Sequence, residues 1–304
     1  SAERYRYTFP MRRTIGFRAH DLGTFTSLSD LAKFAASFQK PTVIHLALHK
    51  VLKGKERPVE EYDSAYVQEI HDTLAREGVS LSMIGSYFNP IHPDPEIRQA
   101  QINRYIINLK YTKQFGCRIV GTETGSHNPD ITYDMATYEP ENFDLCLKTI
   151  DQLVNAAETY DALACIEPVS HHHTISTVER ALKVSETFKS KHFGFIYDPV
   201  NLVPYTGIPE SDGSVRERPS DEAQERFFRS AFDAWGSRIK TIHINYRLNP
   251  VDGTKIGNLM AGTGVINWKL FFRLMDEYRI QVPMSMENIQ VPLLAEELKT
   301  LLSY

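Results

Sequence analysis

The chain has 304 residues, 42% of them hydrophobic and 24% charged, with a net charge of −4. That balance suits a globular protein with room for one large α/β domain or two smaller ones, and it excludes a general affinity for nucleic acid or anionic membrane. No run of about 18 apolar residues occurs, so no membrane span is expected, and the three cysteines without metal-type spacing read as buried thiols in a reducing cytoplasm.

Residues 1–12 read as a polar and aromatic tail. From residue 13 the chain alternates strand and helix. Thr14 to Arg18 reads as the first strand, and Ser27 to Phe38 as a helix with Leu28, Leu31, Phe34, Ala35 and Phe38 at helical spacing. Thr42 to Leu48 is the second strand, closing on His49. A helix over 60–77 follows, with Tyr62, Tyr66, Ile70 and Leu74 every four residues. The third strand covers Val79 to Ile84. Asp94 and Pro95 then have the residue types of an N-cap and a first helical position. That helix ends near Gly116, and Cys117 to Gly121 is the fourth strand.

The connection from Thr122 to Glu139 is long for an α/β loop and carries Glu123, His127 and Asn128, and loops of that length are usually functional. A helix from about Asn142 to Tyr160 leads to the fifth strand, Leu163 to Ile166, which ends on Glu167. Beyond it lie the triple His171-His172-His173 and a capping-box spacing at Ser176 and Glu179. Phe193 to Tyr197 ends on Asp198 and runs into a Pro-, Gly- and Ser-rich insertion, 199–219, with the length of a lid. Ile239 to Ile242 ends on His243. Asn267 caps another helix, Val282 to Met286 ends on Glu287, and a helix over 293–302 closes the chain. Eight strand-plus-helix units without a linker predict a (β/α)8 barrel, a TIM barrel forming a single domain over 13–304. A doubly wound sheet would need a Gly-x-Gly-x-x-Gly turn after the first strand, and none is present.

Parallel strands are buried on both faces, so a carboxylate at a strand end is costly unless it is paired. Glu167, Asp198, His243 and Glu287 end four successive strands. Alternation sets Thr241, His243 and Asn245 on one face and Ile242 and Ile244 on the other. At the mouth of a barrel, three carboxylates and one imidazole would converge, and a divalent cation relieves their repulsion most simply. Mixed O and N ligands suit Mn, Co, Mg or Zn alike. Each residue also has a plain structural reading: Glu167 as a helix-approach carboxylate, Asp198 as a turn residue, His243 as a core histidine and Glu287 as the partner of an arginine. His49, Glu123, His173 and Arg247 are candidate pocket residues, whose plain readings are a solvent-facing group for His49, a surface salt bridge for Glu123 and Arg247, and a loop entering a helix for His173.

In Ile166-Glu167-Pro168, Tyr197-Asp198-Pro199-Val200-Asn201, Ile242-His243-Ile244-Asn245, Gly262-x-Gly264-x-x-x-Trp268 and Met286-Glu287-Asn288 the chain resembles the sugar phosphate isomerase/epimerase superfamily of xylose-isomerase-like barrels. The resemblance implies one divalent metal held by Glu167, Asp198, His243 and Glu287. It also makes Glu167 and Glu287 the acid/base pair that moves a proton next to a carbonyl through a metal-stabilised enediolate. A small carbohydrate would be the substrate, and a homodimer is common among relatives. Many relatives have His where this chain has Asn201, and Lys where it has Asn245; both positions would face substrate. Other chemistries in the superfamily are a lyase or dehydratase acting on an inosose-like ketone and a DNA-repair endonuclease. The endonuclease needs further histidines that Asn201 and Asp252-Gly253-Thr254 do not supply. A non-catalytic sugar-binding barrel is the reading outside enzymology.

Overall fold

The computed structural model describes residues 13–246 and 264–304. The expected tail over 1–12, Arg247, Asp252-Gly253-Thr254 and Gly262 lie outside the described residues. Eight parallel strands close into a barrel in sequence order: β1 (Ile15–Arg18), β2 (Thr42–Leu46), β3 (Val79–Gly85), β4 (Ile119–Glu123), β5 (Leu163–Glu167), β6 (Phe193–Tyr197), β7 (Ile239–Asn245) and β8 (Met284–Glu287). The last strand pairs with the first, Gly16 beside Ser285, so the sheet has no edge. This is the TIM barrel expected from the strand–helix alternation.

Between the strands lie α1 (Leu28–Phe38), α2 (Leu48–Leu52), α3 (Ser64–Ala75), α4 (Pro95–Lys110), α5 (Thr112–Phe115), α6 (Pro140–Tyr160), α7 (Val178–Thr187), α8 (Pro199–Leu202), α9 (Asp221–Trp235), α10 (Trp268–Glu277) and α11 (Val291–Leu302). Their starts follow local chemistry. Ser27, Asp94, Ser220 and Asn267 each accept a backbone N–H of the first turn, as the residue types predict. Among the described residues no helix is long and apolar enough to cross a membrane.

Several boundaries differ from the sequence reading. The second strand stops at Leu46, because Leu48, Val51 and Leu52 bury one face of α2; His49 therefore sits on a helix and not at a strand end. The fourth strand begins two residues later than expected. Gly116 ends α5 in the left-handed region, and the Cys117 amide bonds back to Thr112 O. Glu123, expected in the following loop, is thus the last residue of β4, beside Glu167. The helix expected over 60–77 starts at Ser64, where Asp63 accepts the Tyr66 amide. Thr177 caps α7, one residue beyond Ser176. The insertion after β6 opens with α8 and carries an antiparallel bridge between Pro209 and Val215.

Inside the barrel, side chains fill the lower layers. A Cβ on Gly121 would lie 2.3 Å from Met83 Cε and 2.6 Å from Ile196 Cδ1, so that space belongs to its neighbours. Outside, Trp235 of α9 packs on Phe195 and Tyr197 with ring centroids 4.7 and 5.2 Å away. Burying each ring contributes roughly 1.5–3 kcal/mol. The packed lower barrel leaves the C-terminal strand ends as the place where polar groups gather.

Candidate metal and active site

Glu167 ends β5 and Glu287 ends β8, where Glu287 pairs with Asn245 of β7. His243 lies two residues before Asn245, on the same face. Asp198 follows β6 directly and N-caps α8, its Oδ1 accepting the Asn201 amide at 2.9 Å. Its Oδ2 accepts from Asn245 Nδ2 at 3.0 Å. His243 Nδ1 stands 3.0 Å from Glu167 Oε1 and 3.1 Å from Glu287 Oε1. These are ion-pair distances without hydrogen-bond alignment, and the nitrogen has no hydrogen-bond partner although the ring is fully buried. The other ring nitrogen, Nε2, faces Met83 Sδ at 3.4 Å.

Three buried carboxylates therefore share one imidazole, and they shift one another. Burial, followed by the charges of Glu167 and Glu287, raises Asp198 to about 7. Burial works to lower His243, but Glu287 and Glu167 outweigh it and raise the ring to about 9. Burial also opposes charge on Glu287, yet His243, Arg18 and His45 hold it well below the usual carboxylate range. Glu167 is depressed too, mainly by His243 against the cost of burial.

A chain of amides runs around the mouth. Arg18, gripped by Asp21 at 2.9 Å, donates to Asn288 Oδ1 at 2.9 Å. Asn288 Nδ2 donates to Asn245 Oδ1 at 3.0 Å. Asn245 Nδ2 reaches both Asp198 Oδ2 and Asn201 Oδ1, the second at 3.2 Å. Asn201 Nδ2 closes the chain on Glu167 Oε2 at 2.9 Å. Tyr87 Oη donates to the other oxygen of Glu167, also at 2.9 Å. Both carboxylates are thus held from outside: Glu167 by Tyr87 and Asn201, Glu287 by Arg18 at 3.4 Å.

The four strand-end residues expected to converge do so. A cavity of about 190 Å³ opens above them and includes Glu123, Glu167, Asn201, Asn245, Glu287 and, at its rim on α2, His49. His173 lies beside it, with Nε2 3.4 Å from Glu123 Oε2. His171 instead stacks on Tyr133 and Tyr205, with centroids 4.2 and 3.9 Å away. His92 turns inward on its own loop, accepting the Asp94 amide on Nδ1 at 3.0 Å.

Four neighbours were given no site role by the sequence reading: Arg18, His45, Tyr87 and Asn288, the last quoted only as part of a motif. His45 carried the same signal as Glu167, a polar side chain inside an otherwise apolar parallel strand. Tyr87 sits in a loop, and Asn288 adopts the left-handed region at φ 59° one residue past β8, so strand alternation places neither.

The donors fit a divalent cation. Ligand atoms of Glu167, Asp198 and His243 lie within 4.8 Å of one another, as do those of His45, His243 and Glu287. Two glutamates crowded on one His243 nitrogen and the excess of carboxylates are what a cation would satisfy.

Comparison with known proteins agrees with this architecture. The family model described as a xylose isomerase-like TIM barrel matches residues 43–304. No curated protein gives a significant sequence match. Among solved structures, 3-keto-D-glucoside 4-epimerase from E. coli superposes with a TM-score of 0.68 at 13% identity, covering 96% of this chain and 100% of that one. D-psicose 3-epimerase with D-tagatose, from Clostridium cellulolyticum H10, gives 0.64 at 14% identity over 91% and 85% of the two chains. A xylose isomerase-like TIM barrel protein from Mycobacterium smegmatis in complex with magnesium gives 0.66 at 16% identity over 96% and 95%.

Proposed function

The chain belongs to the xylose isomerase-like TIM barrel family, and from that premise we propose a metal-dependent isomerase or epimerase of a sugar or sugar derivative. Glu167, Asp198, His243 and Glu287 hold one divalent cation, and Glu167 and Glu287 are the acid/base pair. The observation that carries this reading is the approach of both glutamates to one buried nitrogen of His243, at 3.0 and 3.1 Å, beneath an open polar cavity. Solved neighbours named as epimerases of keto-glucosides and of psicose support a small carbohydrate as substrate.

The chemistry follows from the residue types. Removing a proton next to a carbonyl leaves negative charge, and the cation supplies the Lewis acidity that lowers the cost of that charge. Glu167 and Glu287 stand on strands three apart in the barrel, so each addresses the substrate from its own side. One takes the proton and the other returns one, to the opposite face in epimerisation or to the neighbouring carbon in isomerisation. Tyr87 and Asn201 occupy both oxygens of Glu167 and fix its plane. His243 and then Arg18 hold Glu287 ionised. Asn201 and Asn245, where many relatives carry His and Lys, line the cavity, with Asn201 donating to Glu167 and Asn245 to Asp198 and Asn201. They supply no cation for a phosphate.

Proton exchange is the direct test. Candidate ketoses and inososes incubated with the metal-loaded enzyme in heavy water should take up deuterium next to the carbonyl, and ketose products should be epimers or isomers. Loss of water from an inosose instead would make the enzyme a dehydratase, and no exchange with any carbonyl sugar would remove the acid/base assignment.

A further inference from the structure

His45 of β2 is fully buried, and neither of its ring nitrogens has a hydrogen-bond partner. Its Nδ1 has only an ion-pair contact with Glu287 and its Nε2 has no polar partner, and a buried polar atom left unsatisfied costs roughly 1–3 kcal/mol, so its position needs a reason. Nδ1 points at Glu287, 3.3 Å from Oε1. The ring is stacked between His243 and Tyr87, with centroids 5.5 and 5.8 Å away. Nε2 lies where the neighbouring strand has Gly85: a Cβ there would be 2.6 Å from it. The fold thus keeps a glycine beside this ring, and the ring faces the cluster of carboxylates.

We propose that His45 is a fifth ligand of the cation, which the site then holds through two imidazole nitrogens and three carboxylates. This rests on the metal site proposed above and extends it. The two overlapping donor groups, Glu167–Asp198–His243 and His45–His243–Glu287, share His243. Its Nε2 is turned to Met83, which leaves Nδ1 as the ligand atom in both. One ring nitrogen binds one ion, so the two groups describe a single site and not two. A second imidazole changes what that site prefers. Nitrogen ligands favour Zn²⁺, Co²⁺ and Ni²⁺, whereas an all-carboxylate shell favours Mg²⁺ and Mn²⁺. A second imidazole therefore raises the preference of the site for Zn²⁺ and Co²⁺ over Mg²⁺ and Mn²⁺ relative to the four-ligand set.

The test is equilibrium binding of Zn²⁺, Co²⁺, Mg²⁺ and Mn²⁺ to chelator-treated protein, by calorimetry and by the visible absorption of Co²⁺. His45→Phe keeps a ring in the stack and removes both nitrogens. It should weaken Zn²⁺ and Co²⁺ at least about tenfold, leave Mg²⁺ and Mn²⁺ less affected and alter the Co²⁺ spectrum. Gly85→Ala keeps the imidazole but displaces it, and should move affinity in the same direction; it decides the matter if His45→Phe fails to fold by circular dichroism. Unchanged affinities and spectrum in a folded variant would overturn the ligand role, as would an effect on KM alone, which would place His45 on the substrate. Metal loss in Glu167→Gln with normal binding in His45→Phe would sink this inference and spare the metal site. No uptake by the wild-type protein would sink both.

Discussion

Replacing Asn245 by Leu removes the centre of the amide chain while keeping a side chain of similar size on β7. Among the described residues Asp198 Oδ2, Asn201 Oδ1 and Asn288 Nδ2 each lose a partner. Asp198 is fully buried, and a hydrogen bond to a charged group is worth about 1.5–3 kcal/mol. Asn201 and Asn288 are half-buried and reachable by water, so each contributes about 0.5–1 kcal/mol. Burial of the new methyl groups offsets about 1 kcal/mol. The net loss is about 1.5–4 kcal/mol, which for a domain of this size lowers Tm by about 2–6 °C. Calorimetric melts in chelator would read it, at a pH above the Asp198 value of about 7 so that the carboxylate is ionised. Asn288→Gly, which removes an outer link and keeps the left-handed backbone, should cost less. A Leu variant melting within about 1 °C of wild type would show that the amide chain contributes nothing to holding the site.

Glu167→Gln and Glu287→Gln should each lower turnover by at least about 100-fold while the protein stays folded, since a glutamine accepts no proton; retained kcat in either removes that residue from the acid/base role. Chelation should abolish activity and lower Tm, and adding cation to about 100 times its Kd should restore about 2.7 kcal/mol of stability. A Tm indifferent to cation and chelator would contradict a built site. The thiols of Cys117, Cys146 and Cys165 are buried and unpaired, and burial raises them to about 11, 12 and 12. They should resist alkylation in the native protein and react together on unfolding, and rapid native labelling would contradict their place in the core.

The eightfold alternation was legible because each strand is a short apolar run and each of the long helices opens on a capping residue or a proline. The strand-end residues were legible for the same reason: a charge ending an apolar parallel strand needs an explanation. What was not legible depended on distance in the chain. His49 drew attention as a residue following an apolar run, but the helical spacing of Leu48, Val51 and Leu52 takes it out of the strand and leaves His45, four residues earlier, beside Glu287. Arg18 and Asn288 meet across 270 positions, where β1 and β8 close the barrel. Tyr87 reaches Glu167 from a loop 80 positions away. No local periodicity encodes such pairs, because they follow from the closure of the sheet.

Anomalous scattering from crystals equilibrated with Mn²⁺ or Co²⁺ tests the central claim most directly. One peak enclosed by the carboxylates of Glu167, Asp198 and Glu287 and by Nδ1 of His243 is the predicted result. Saturating cation with no peak among those four groups, or a peak elsewhere on the barrel, would contradict it.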